Sequence, residues 1–368
     1  MQKQINVIIS GGGTGGHIYP AIAIANALKE ADPSINILFV GALGKMEMEK
    51  VPKAGYKIIG LPITGIQRSI NFENLKFPFK LLKSMALARK IIQDFKPNIA
   101  IGVGGYASGP LLLMANFMGV PTLIQEQNSF AGITNKYLSK KAKAICVAYF
   151  GMEKFFPKEK IIFTGNPVRS DILDIHSKKN QALAHFGLKQ NTKTLLIIGG
   201  SLGAKTINES IDSGLEKLIE AGFQIIWQTG KLYIDKAKTS SKNHTNIYVS
   251  DFIYEMDLAY AAADIVISRA GALSVSELCL AAKPCILVPY PFAAEDHQTQ
   301  NALNLVEKEA AMMIKDKEAP AELVNQALEL LKDEKKQESL SFNIAKLGKP
   351  KAAHEIAEQV LKIIHAQN

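Results

Sequence analysis

The sequence predicts an α/β protein made of two doubly wound parallel-sheet domains. The chain has 368 residues, which is long for one hydrophobic core and sufficient for two. Apolar runs typical of buried strands alternate with helical patterns in both halves, and this alternation implies parallel sheets with right-handed crossovers. One strand–loop–helix corner also occurs twice, where Asn6–Ser10 leads into Gly11–His17 and where Thr194–Ile198 leads into Gly199–Ala204.

The periodicity assigns strands and helices to both halves. In the first half we predict strands at 5–10, 35–40, 57–61, 98–102, 121–125, 144–148 and 160–164, and helices at 17–31, 44–54, 78–95, 108–118 and 131–140. In the second half we predict strands at 194–198, 223–228, 245–249, 264–267, 284–288 and 311–314, and helices at 204–221, 232–239, 255–262, 272–281, 298–309 and 320–332.

The alternation breaks at residues 164–169, which therefore mark the predicted domain boundary. The first domain is predicted to span 1–165 and the second 166–350. A last helix, from about 352 to 365, follows Gly348-Lys349-Pro350 and is a candidate to dock on the first domain.

The two glycine corners predict a ligand that carries phosphate. Glycine lets backbone N–H groups approach an anion closely, and the N-terminus of the following helix adds partial positive charge. A third glycine loop, Gly102–Pro110, lies in the same half as the first. The alternative is that these glycines only permit tight turns between strand and helix, but three such loops together favour a role in ligand binding.

The first corner also contains G-x-G-x-x-G, at Gly11, Gly13 and Gly16, which by itself is typical of dinucleotide-binding dehydrogenases. Such a site needs an acidic residue at the end of the second strand to bind the ribose. Here that strand ends in Gly41-Ala42, so the sequence argues against NAD.

Composition excludes several other classes of protein. The three cysteines show no C-x-x-C spacing, which indicates neither a disulfide framework nor a zinc cluster and favours a reducing cytoplasm. The chain enters a strand within six residues, so we expect no signal peptide. The uncharged stretch 99–125 is interrupted by glycine and proline and is interpreted as buried α/β structure rather than a membrane span. No nucleic-acid-binding motif accompanies the net charge of +9, and we expect no nucleic-acid partner.

The basic charge is concentrated in residues 65–96, with seven basic side chains against two acidic ones. Apolar side chains alternate with the basic ones, as in proteins that rest on an anionic membrane surface. The residues we predict to contact the membrane are Phe72, Lys76, Phe77, Phe79, Lys80 and Lys83. The alternative is a solvated basic helix whose apolar side chains belong to the core, and the stretch by itself does not separate the two.

Two titratable residues stand at glycine corners. His17 lies where the first loop meets its helix, and its ordinary pKa near neutrality suits proton transfer. Glu277 lies one turn into the helix that follows Ser268–Gly271, where a carboxylate can accept two hydrogen bonds from a ribose diol. A structural histidine and an ordinary acidic residue near a helix N-terminus are the alternatives.

Taken as a set, the motifs resemble the MurG family of bacterial glycosyltransferases. The blocks that carry the resemblance occur in order between about residues 5 and 305, and they are Gly12–His17 with Pro20, Gly104–Pro110, Glu126-Gln127-Asn128, Gly165–Arg169, Gly199–Ala204, Arg269–Glu277 and Asp296-His297-Gln298. Any one block is common, whereas the series is specific.

The resemblance implies a GT-B architecture, in which two Rossmann-like domains face a cleft. It implies a hexosyltransferase that moves N-acetylglucosamine (GlcNAc) from UDP-GlcNAc, with inversion, to the 4-hydroxyl of the muramyl sugar of undecaprenyl-pyrophosphate-linked lipid I, giving lipid II and UDP. It further implies a peripheral enzyme at the cytoplasmic face of the bacterial cell membrane. We expect no cofactor and no metal, because no D-x-D pair stands in the donor half.

The resemblance also assigns roles to individual residues. The implied donor-binding residues are Thr14, Gly15, Gly16, Asn128, Arg169, Ser201, Ile253 (through its backbone), Ala272, Leu273, Ser274, Val275, Ser276, Glu277 and Gln298. The residues expected at the acceptor pyrophosphate are Gly13, Gly104, Gly105, Tyr106 and Ser108. His17 is the expected base for the acceptor hydroxyl, and Glu126 is the second candidate.

Two other classes of function remain open at this point. A UDP-GlcNAc 2-epimerase, or another GT-B sugar enzyme, shares the donor fold but has no use for a basic apolar stretch. A non-catalytic membrane protein that binds a nucleotide sugar would bind UDP without releasing it from donor plus acceptor.

Overall fold

The computed structural model describes residues 4–65 and 77–366, and the predicted membrane residues Phe72 and Lys76 lie outside them. The chain divides into two compact units. The first comprises Met1–Arg169 together with Pro350–Asn368, and the second comprises Ser170–Lys349. The division falls at residue 169, whereas the sequence-based boundary lies at residue 165.

The first unit is a parallel sheet with helices packed on both faces. Its strands are β1 (Asn6–Ser10), β2 (Asn36–Ala42), β3 (Lys57–Leu61), β4 (Ile99–Gly102), β5 (Thr122–Glu126), β6 (Ala144–Val147) and β7 (Ile161–Phe163). Its helices are α1 (Gly15–Ala31), α2 (Glu47–Lys53), α3 (Phe77–Phe95), α4 (Ser108–Phe117) and α5 (Ile133–Ser139), with short 3-10 turns at Met152–Lys154 and Lys158–Lys160. The strand order is β3-β2-β1-β4-β5-β6-β7, and every pairing is parallel.

The second unit repeats this architecture. Its strands are β8 (Thr194–Ile198), β9 (Gln224–Gln228), β10 (Ile247–Ser250), β11 (Ile265–Ser268), β12 (Cys285–Leu287) and β13 (Met312–Met313), in the order β10-β9-β8-β11-β12-β13. Its helices are α6 (Lys179–His185), α7 (Lys205–Ser213), α8 (Leu215–Glu220), α9 (Ile234–Ser240), α10 (Met256–Ala262), α11 (Ala272–Ala281), α12 (His297–Val306), α13 (Ala319–Lys332) and α14 (Glu334–Ala345), with 3-10 turns at Ser170–Asp174, His176–Lys178 and Ala294–Asp296.

The central strands are buried on both faces, which explains why they are continuous apolar runs rather than alternating ones. Every residue of β4, β8 and β11 is buried, as expected for a parallel sheet covered by helices on each side. Two apolar clusters in each unit pack against the two faces of its sheet. The predicted α/β class with two doubly wound parallel sheets is thus confirmed.

One predicted helix is in fact two. The pattern over 204–221 contains Gly214, and the helix is interrupted there between α7 and α8. A Cβ atom at Gly214 would lie 2.6 Å from Cγ2 of Val324 on α13, so only glycine permits this close approach. Helices α6 and α14 were not predicted, because their sequences are mostly polar and α14 presents few buried side chains.

The last helix, α15 (Ala352–His365), belongs to the first unit. Its apolar side chains Ile356, Val360 and Ile364 are buried in the same cluster as the α1 residues Ile24 and Leu28. At the edge of this contact His354 Nε2 lies 2.9 Å from Glu30 Oε2. Among the helices in the described part of the chain, none is both long enough and apolar enough to cross a membrane.

Candidate active site

Each sheet reverses its winding direction at one point, and the glycine loops lie there. In the first unit β1 lies beside β4, with Ser10 in register with Gly102. In the second unit β8 lies beside β11, with Ile198 in register with Ser268. Ligands of doubly wound sheets bind outside the carboxyl ends of the strands at such a switch point. Both units therefore place their glycine loops where this fold binds a ligand.

In the first unit the two glycine loops pack directly on each other. Gly105 has φ of +89°, and a Cβ atom there would lie 2.3 Å from the carbonyl oxygen of Gly12. Gly104 has φ of +96°, and a Cβ atom there would lie 2.4 Å from Cδ2 of His17. Only glycine allows this backbone conformation together with such contacts. The loops therefore form one surface, with the His17 imidazole resting on Gly104.

His17 is half-buried in the first turn of α1. Its Nδ1 lies 3.4 Å from Thr14 Oγ1, and its backbone N–H donates to the carbonyl oxygen of Thr14 at 3.1 Å. The Thr14 hydroxyl is thus placed to orient the ring, as a third group orients the base in many hydrolytic sites. The half-exposed imidazole can reach a ligand at the switch point.

Glu47 is a buried carboxylate at this loop that sequence reasoning missed. It is 1% exposed and accepts hydrogen bonds from the N–H of Gly13 at 2.8 Å and from the N–H of Ala42 at 2.9 Å. Side chains at Gly12 or Gly41 would collide with it, since Cβ atoms there would lie 2.2 Å from its Oε1 and 2.5 Å from its Cγ. The Glu47 carboxylate thus accepts a hydrogen bond from a loop N–H of the kind that contacts phosphate in dinucleotide-binding folds.

This contact changes the interpretation of the predicted pyrophosphate residues. Gly13 was predicted at the acceptor pyrophosphate, but its N–H already donates to the Glu47 carboxylate. Ser108 is fully buried, and its hydroxyl lies 2.9 Å from the carbonyl oxygen of Ser10 and 2.8 Å from that of Gly104. Ser108 therefore fixes the loop, whereas Tyr106 is 49% exposed.

Glu126 is the centre of a buried hydrogen-bond cluster at the end of β5. It is 2% exposed, and its two oxygens accept from the Asn128 backbone N–H at 3.1 Å, the Gly132 N–H at 3.2 Å and Asn135 Nδ2 at 2.8 Å. Burial raises the pKa of this carboxyl, and the hydrogen bonds oppose that effect. Because its oxygens are taken up by the loop that carries Asn128, the geometry favours a positioning role for Glu126 over the role of base.

A buried amide network joins β5 to the end of the first unit. Gln125 Nε2 donates to Asn166 Oδ1 at 3.0 Å, and Asn166 Nδ2 donates to the carbonyl oxygen of Gln127 at 3.0 Å. This network holds the segment that leads to Arg169, whose guanidinium lies 5.4 Å from the centre of the Tyr19 ring. Arg169, a predicted donor residue, is thereby anchored on α1 of the first unit.

In the second unit the glycine loop packs against the loop that follows β9. Gly203 has φ of +78°, and a Cβ atom there would lie 2.0 Å from the carbonyl oxygen of Thr229. Gln228 Nε2 donates to the carbonyl oxygen of Gly200 at 2.9 Å, and this hydrogen bond fixes the loop. Ser201 is exposed at the tip. A predicted diphosphate contact is thus accessible on a rigidly held loop.

The predicted ribose and phosphate residues lie together on the first turns of α11. Ala272, Val275 and Glu277 are buried, while Leu273, Ser274 and Ser276 are partly exposed. Glu277 is 5% exposed, and the hydroxyl of the fully buried Tyr260 donates to its Oε2 at 3.2 Å. The predicted uracil contact, Ile253, is 3% exposed. Tyr260 was not predicted, because it lies in the middle of an apolar helix pattern.

Gln298 begins α12 after a strained turn. Glu295 and Asp296 have φ of +52° and +54°, a left-handed conformation that non-glycine residues rarely adopt and that tends to occur at functional sites. Gln298 Oε1 accepts from the backbone N–H of Tyr290 at 3.0 Å, which fixes the side chain and leaves its amide N–H groups available to a ligand.

Arg269, which the sequence placed only in a motif, has a structural task. It is 8% exposed, and its Nη1 donates to the carbonyl oxygens of Val288 and Pro289 at 3.0 and 3.1 Å and to Asp316 at 2.5 Å. It therefore ties the carboxyl ends of β11 and β12 together.

Across residues 4–65 and 77–366, no three His, Cys, Asp or Glu side chains are grouped so that they could hold a metal ion.

The fold and site define the class of protein. Two doubly wound units, each with a rigid glycine loop at its switch point, belong to the class of α/β proteins that bind nucleotide ligands at the carboxyl ends of their strands. The family model for the glycosyltransferase family 28 N-terminal domain matches residues 7–147, and that for the C-terminal domain matches residues 194–356. The chain belongs to glycosyltransferase family 28.

Individual relatives agree with this assignment. The chain is 59% identical, over 99% of its length and 98% of the relative's, to the UDP-N-acetylglucosamine--N-acetylmuramyl-(pentapeptide) pyrophosphoryl-undecaprenol N-acetylglucosamine transferase of Cytophaga hutchinsonii. The solved structure of MurG from Acinetobacter baumannii matches with a TM-score of 0.77 and 29% identity, over 97% of this chain and 99% of that one. UDP-GlcNAc 2-epimerase from Neisseria meningitidis matches with a TM-score of 0.68 at 16% identity, over 97% and 100%, and so shares the fold alone.

Proposed function

We propose that this enzyme transfers GlcNAc from UDP-GlcNAc to the 4-hydroxyl of the muramyl sugar of lipid I, with inversion, and so forms lipid II and UDP in peptidoglycan synthesis. The observation that carries the proposal is full-length identity of 59% to a transferase named for this reaction. This similarity covers 99% of the chain and 98% of the relative, so it extends through both units.

The donor is proposed to bind at the carboxyl end of the second sheet. Glu277, held by Tyr260, accepts hydrogen bonds from the ribose diol, and the exposed Ser201 together with the N-terminus of α11 receives the diphosphate. UDP leaves with developing negative charge, which backbone N–H groups at a helix N-terminus stabilise without reorganisation.

The acceptor is proposed to bind at the glycine loops of the first unit. His17 removes the proton of the attacking hydroxyl, while Thr14 orients the ring and Gly104 provides the space for it. Asn128, placed by Glu126, contacts the GlcNAc group as it is transferred. Gly104, Gly105 and Tyr106 remain the proposed residues for the acceptor pyrophosphate.

The proposal is tested by the reaction itself. We expect labelled GlcNAc to pass from UDP-GlcNAc to a short-chain lipid I analogue, both with and without EDTA. Product only in the absence of EDTA would still support a transferase, but it would contradict our expectation that UDP leaves without the help of a metal ion. No product under either condition, with UDP-GlcNAc still bound, would contradict the proposal.

The alternative function is that of a UDP-GlcNAc 2-epimerase, and only the shared fold supports it. An epimerase would form ManNAc or its UDP form from UDP-GlcNAc in the absence of any acceptor. We expect neither product, and the same donor incubation, analysed by chromatography, separates the two functions.

We expect Glu277→Ala to weaken UDP-GlcNAc binding by about 1–3 kcal/mol, because a charge-assisted hydrogen bond to the ribose is lost. Isothermal titration measures the change, and thermal unfolding verifies that the variant remains folded. Tyr260→Phe, which removes only the hydroxyl that holds the carboxylate, should weaken binding less. Glu209→Ala, at an exposed acid on α7, is the matched control. Unchanged affinity in Glu277→Ala would remove this residue from the donor site.

We also propose that the first unit rests on an anionic membrane through the exposed face of α3. Phe79 is 76% exposed and Leu82 is 65% exposed, and the exposed Lys83 lies beside them. Phe77 differs from this group, since it packs against the core of the unit. Lys80 lies 3.4 Å from Thr64 Oγ1 and is partly buried. The α3 surface is therefore narrower than the sequence predicted.

Phe79→Ser should reduce binding to anionic vesicles by roughly tenfold, because about 1.5 kcal/mol of apolar burial is lost. Vesicle sedimentation measures this, and activity on a short-chain acceptor in solution should be retained. Phe342→Ser removes a similarly exposed ring, 66% exposed, from the second unit and serves as the control. Equal vesicle binding by wild type and Phe79→Ser would contradict a membrane role for this ring.

A further inference from the structure

A single carboxylate, that of Asp316, joins two separate elements of the proposed donor site. Asp316 follows the edge strand β13 at the carboxyl end of the second sheet, and its side chain is 17% exposed. Its Oδ1 accepts from Arg269 Nη1 at 2.5 Å, and its Oδ2 accepts from the Thr206 hydroxyl at 2.9 Å. Both oxygens are therefore used, and each contacts a different part of the chain.

Thr206 connects Asp316 to the glycine loop of the second unit. It lies in the first turn of α7, whose N-cap is Ala204, the last residue of that loop. The other side of the loop is fixed by Gln228, which donates to the carbonyl oxygen of Gly200 at 2.9 Å. The contact between Thr206 and Asp316 thus fixes the loop where it continues into the helix.

Arg269 connects Asp316 to the first turn of α11. It lies between β11 and α11, two residues before the N-cap Gly271. Its guanidinium is 8% exposed and also donates to the carbonyl oxygens of Val288 and Pro289. Because this arginine is buried and fully engaged, it fixes the start of α11 relative to Asp316. The N-terminal turns of α7 and α11 are therefore linked through one carboxylate.

We propose that Asp316 is a positioning residue for the diphosphate of the donor. The inference rests on the proposed function, which places the diphosphate at Ser201 and at the N-terminus of α11. These groups lie on separate elements, and a precise binding site needs supporting contacts that lock such elements together. Asp316 does not contact the ligand, since both of its oxygens accept from protein donors and its charge would repel a diphosphate. The ribose contact has a separate support, because Glu277 is held by Tyr260.

Binding of UDP and of uridine to the full-length protein tests the proposal, because uridine lacks the diphosphate. We expect Asp316→Ala to lower the affinity for UDP by about tenfold, the lower end of the loss usual when a residue that orients a metal ligand is removed. The affinity for uridine should not change. Titration calorimetry measures UDP binding, and competition measures uridine binding. Equal losses for both ligands, as a purely structural role would give, or no loss for UDP would overturn the proposal.

Two milder variants accompany Asp316→Ala, which leaves the buried charge of Arg269 without its carboxylate and so reduces stability. Thr206→Val keeps the ion pair and removes only the hydroxyl contact, so it should lower UDP affinity by less. Asp316→Asn keeps an acceptor oxygen for Arg269 and an amide N–H for the Thr206 oxygen, and it should restore most of the affinity. Wild-type UDP affinity in Thr206→Val, or a loss in Asp316→Asn as large as in Asp316→Ala, would contradict the proposal.

Asp264→Ala is the matched control in the same unit. Asp264 is also 17% exposed and pairs with Lys179 Nζ at 2.7 Å and with the Thr194 N–H at 2.8 Å, but it lies at the amino ends of the strands. Its loss should reduce stability and leave UDP affinity unchanged. A fall in UDP affinity as large as that of Asp316→Ala would show that the effect comes from stability and would overturn the proposal.

The wild-type protein separates this inference from the proposed function. We expect wild type to bind UDP more tightly than uridine, because the proposed donor site contacts the diphosphate. Equal affinities of wild type for the two ligands would contradict that donor site, and the role of Asp316 with it. A preference for UDP that Asp316→Ala fully retains would contradict only the role of Asp316.

Discussion

Replacement of His17 by alanine should lower the turnover number by about 10²- to 10⁴-fold, the usual contribution of a positioned general base. The imidazole is half-buried, rests on Gly104 and lies beside the Thr14 hydroxyl, so its removal takes away the group that we propose as the acceptor of the proton. Binding of UDP should change little, because only the acceptor step needs the base. Steady-state kinetics and titration with UDP separate these two effects.

Two controls make the result for His17 specific. His354→Ala removes an exposed histidine of the same unit, on α15, and should leave turnover unchanged. Thr14→Val removes the hydroxyl beside the ring and should lower turnover less than His17→Ala does. If turnover and UDP affinity fell equally in His17→Ala, the histidine would have a structural role and the base would lie elsewhere.

Glu47→Ala should destabilise the first unit by about 2–6 kcal/mol. The change leaves the N–H groups of Gly13 and Ala42 without their carboxylate, and each buried N–H without a partner costs about 1–3 kcal/mol. For a unit of this size the midpoint of its thermal unfolding should fall by about 10 °C. Calorimetry of the whole protein should show it as a downward shift of the transition in which the first unit unfolds.

A loosened glycine loop should also reduce acceptor turnover in Glu47→Ala at temperatures where the protein is folded. Glu47→Gln keeps one acceptor oxygen but sets its NH₂ group against an N–H donor, so it should fall between alanine and wild type. Glu49→Ala, at an exposed acid two residues further along α2, is the matched control and should change neither property. A Glu47→Ala protein as stable as wild type would show that solvent satisfies the two amides.

The local patterns were sufficient to place nearly every strand and most helices. Buried parallel strands are apolar along their whole length, and glycine corners mark where each strand ends, so both signals lie within a few neighbouring residues. The terminal helix at 352–365 was located in the same way, from its spacing of apolar residues. The break at Gly214 was missed because its cause, contact with Val324, is more than a hundred residues away.

The chemistry of the site was less accessible to sequence reasoning. Glu47 looks like one of two acids in a charged helix, and only folding brings it to Gly13, 34 residues earlier. Glu126 was a reasonable candidate base by its motif, but the structure surrounds its oxygens with N–H donors from Asn128, Gly132 and Asn135. The motifs located the strand–loop–helix corner of each unit, but they did not show which side chains of these loops are buried.

The sequence by itself determined the two-unit α/β fold, the positions of the glycine loops and the family resemblance. These follow from short-range periodicity and from residue types that only certain backbone conformations accept. Only the tertiary structure decided which polar groups are exposed at the loops and which are buried and hold them. That distinction depends on burial and on hydrogen-bond partners distant in the chain, as in Ser108 and Glu47, because a buried polar group must be satisfied by whatever the fold brings to it.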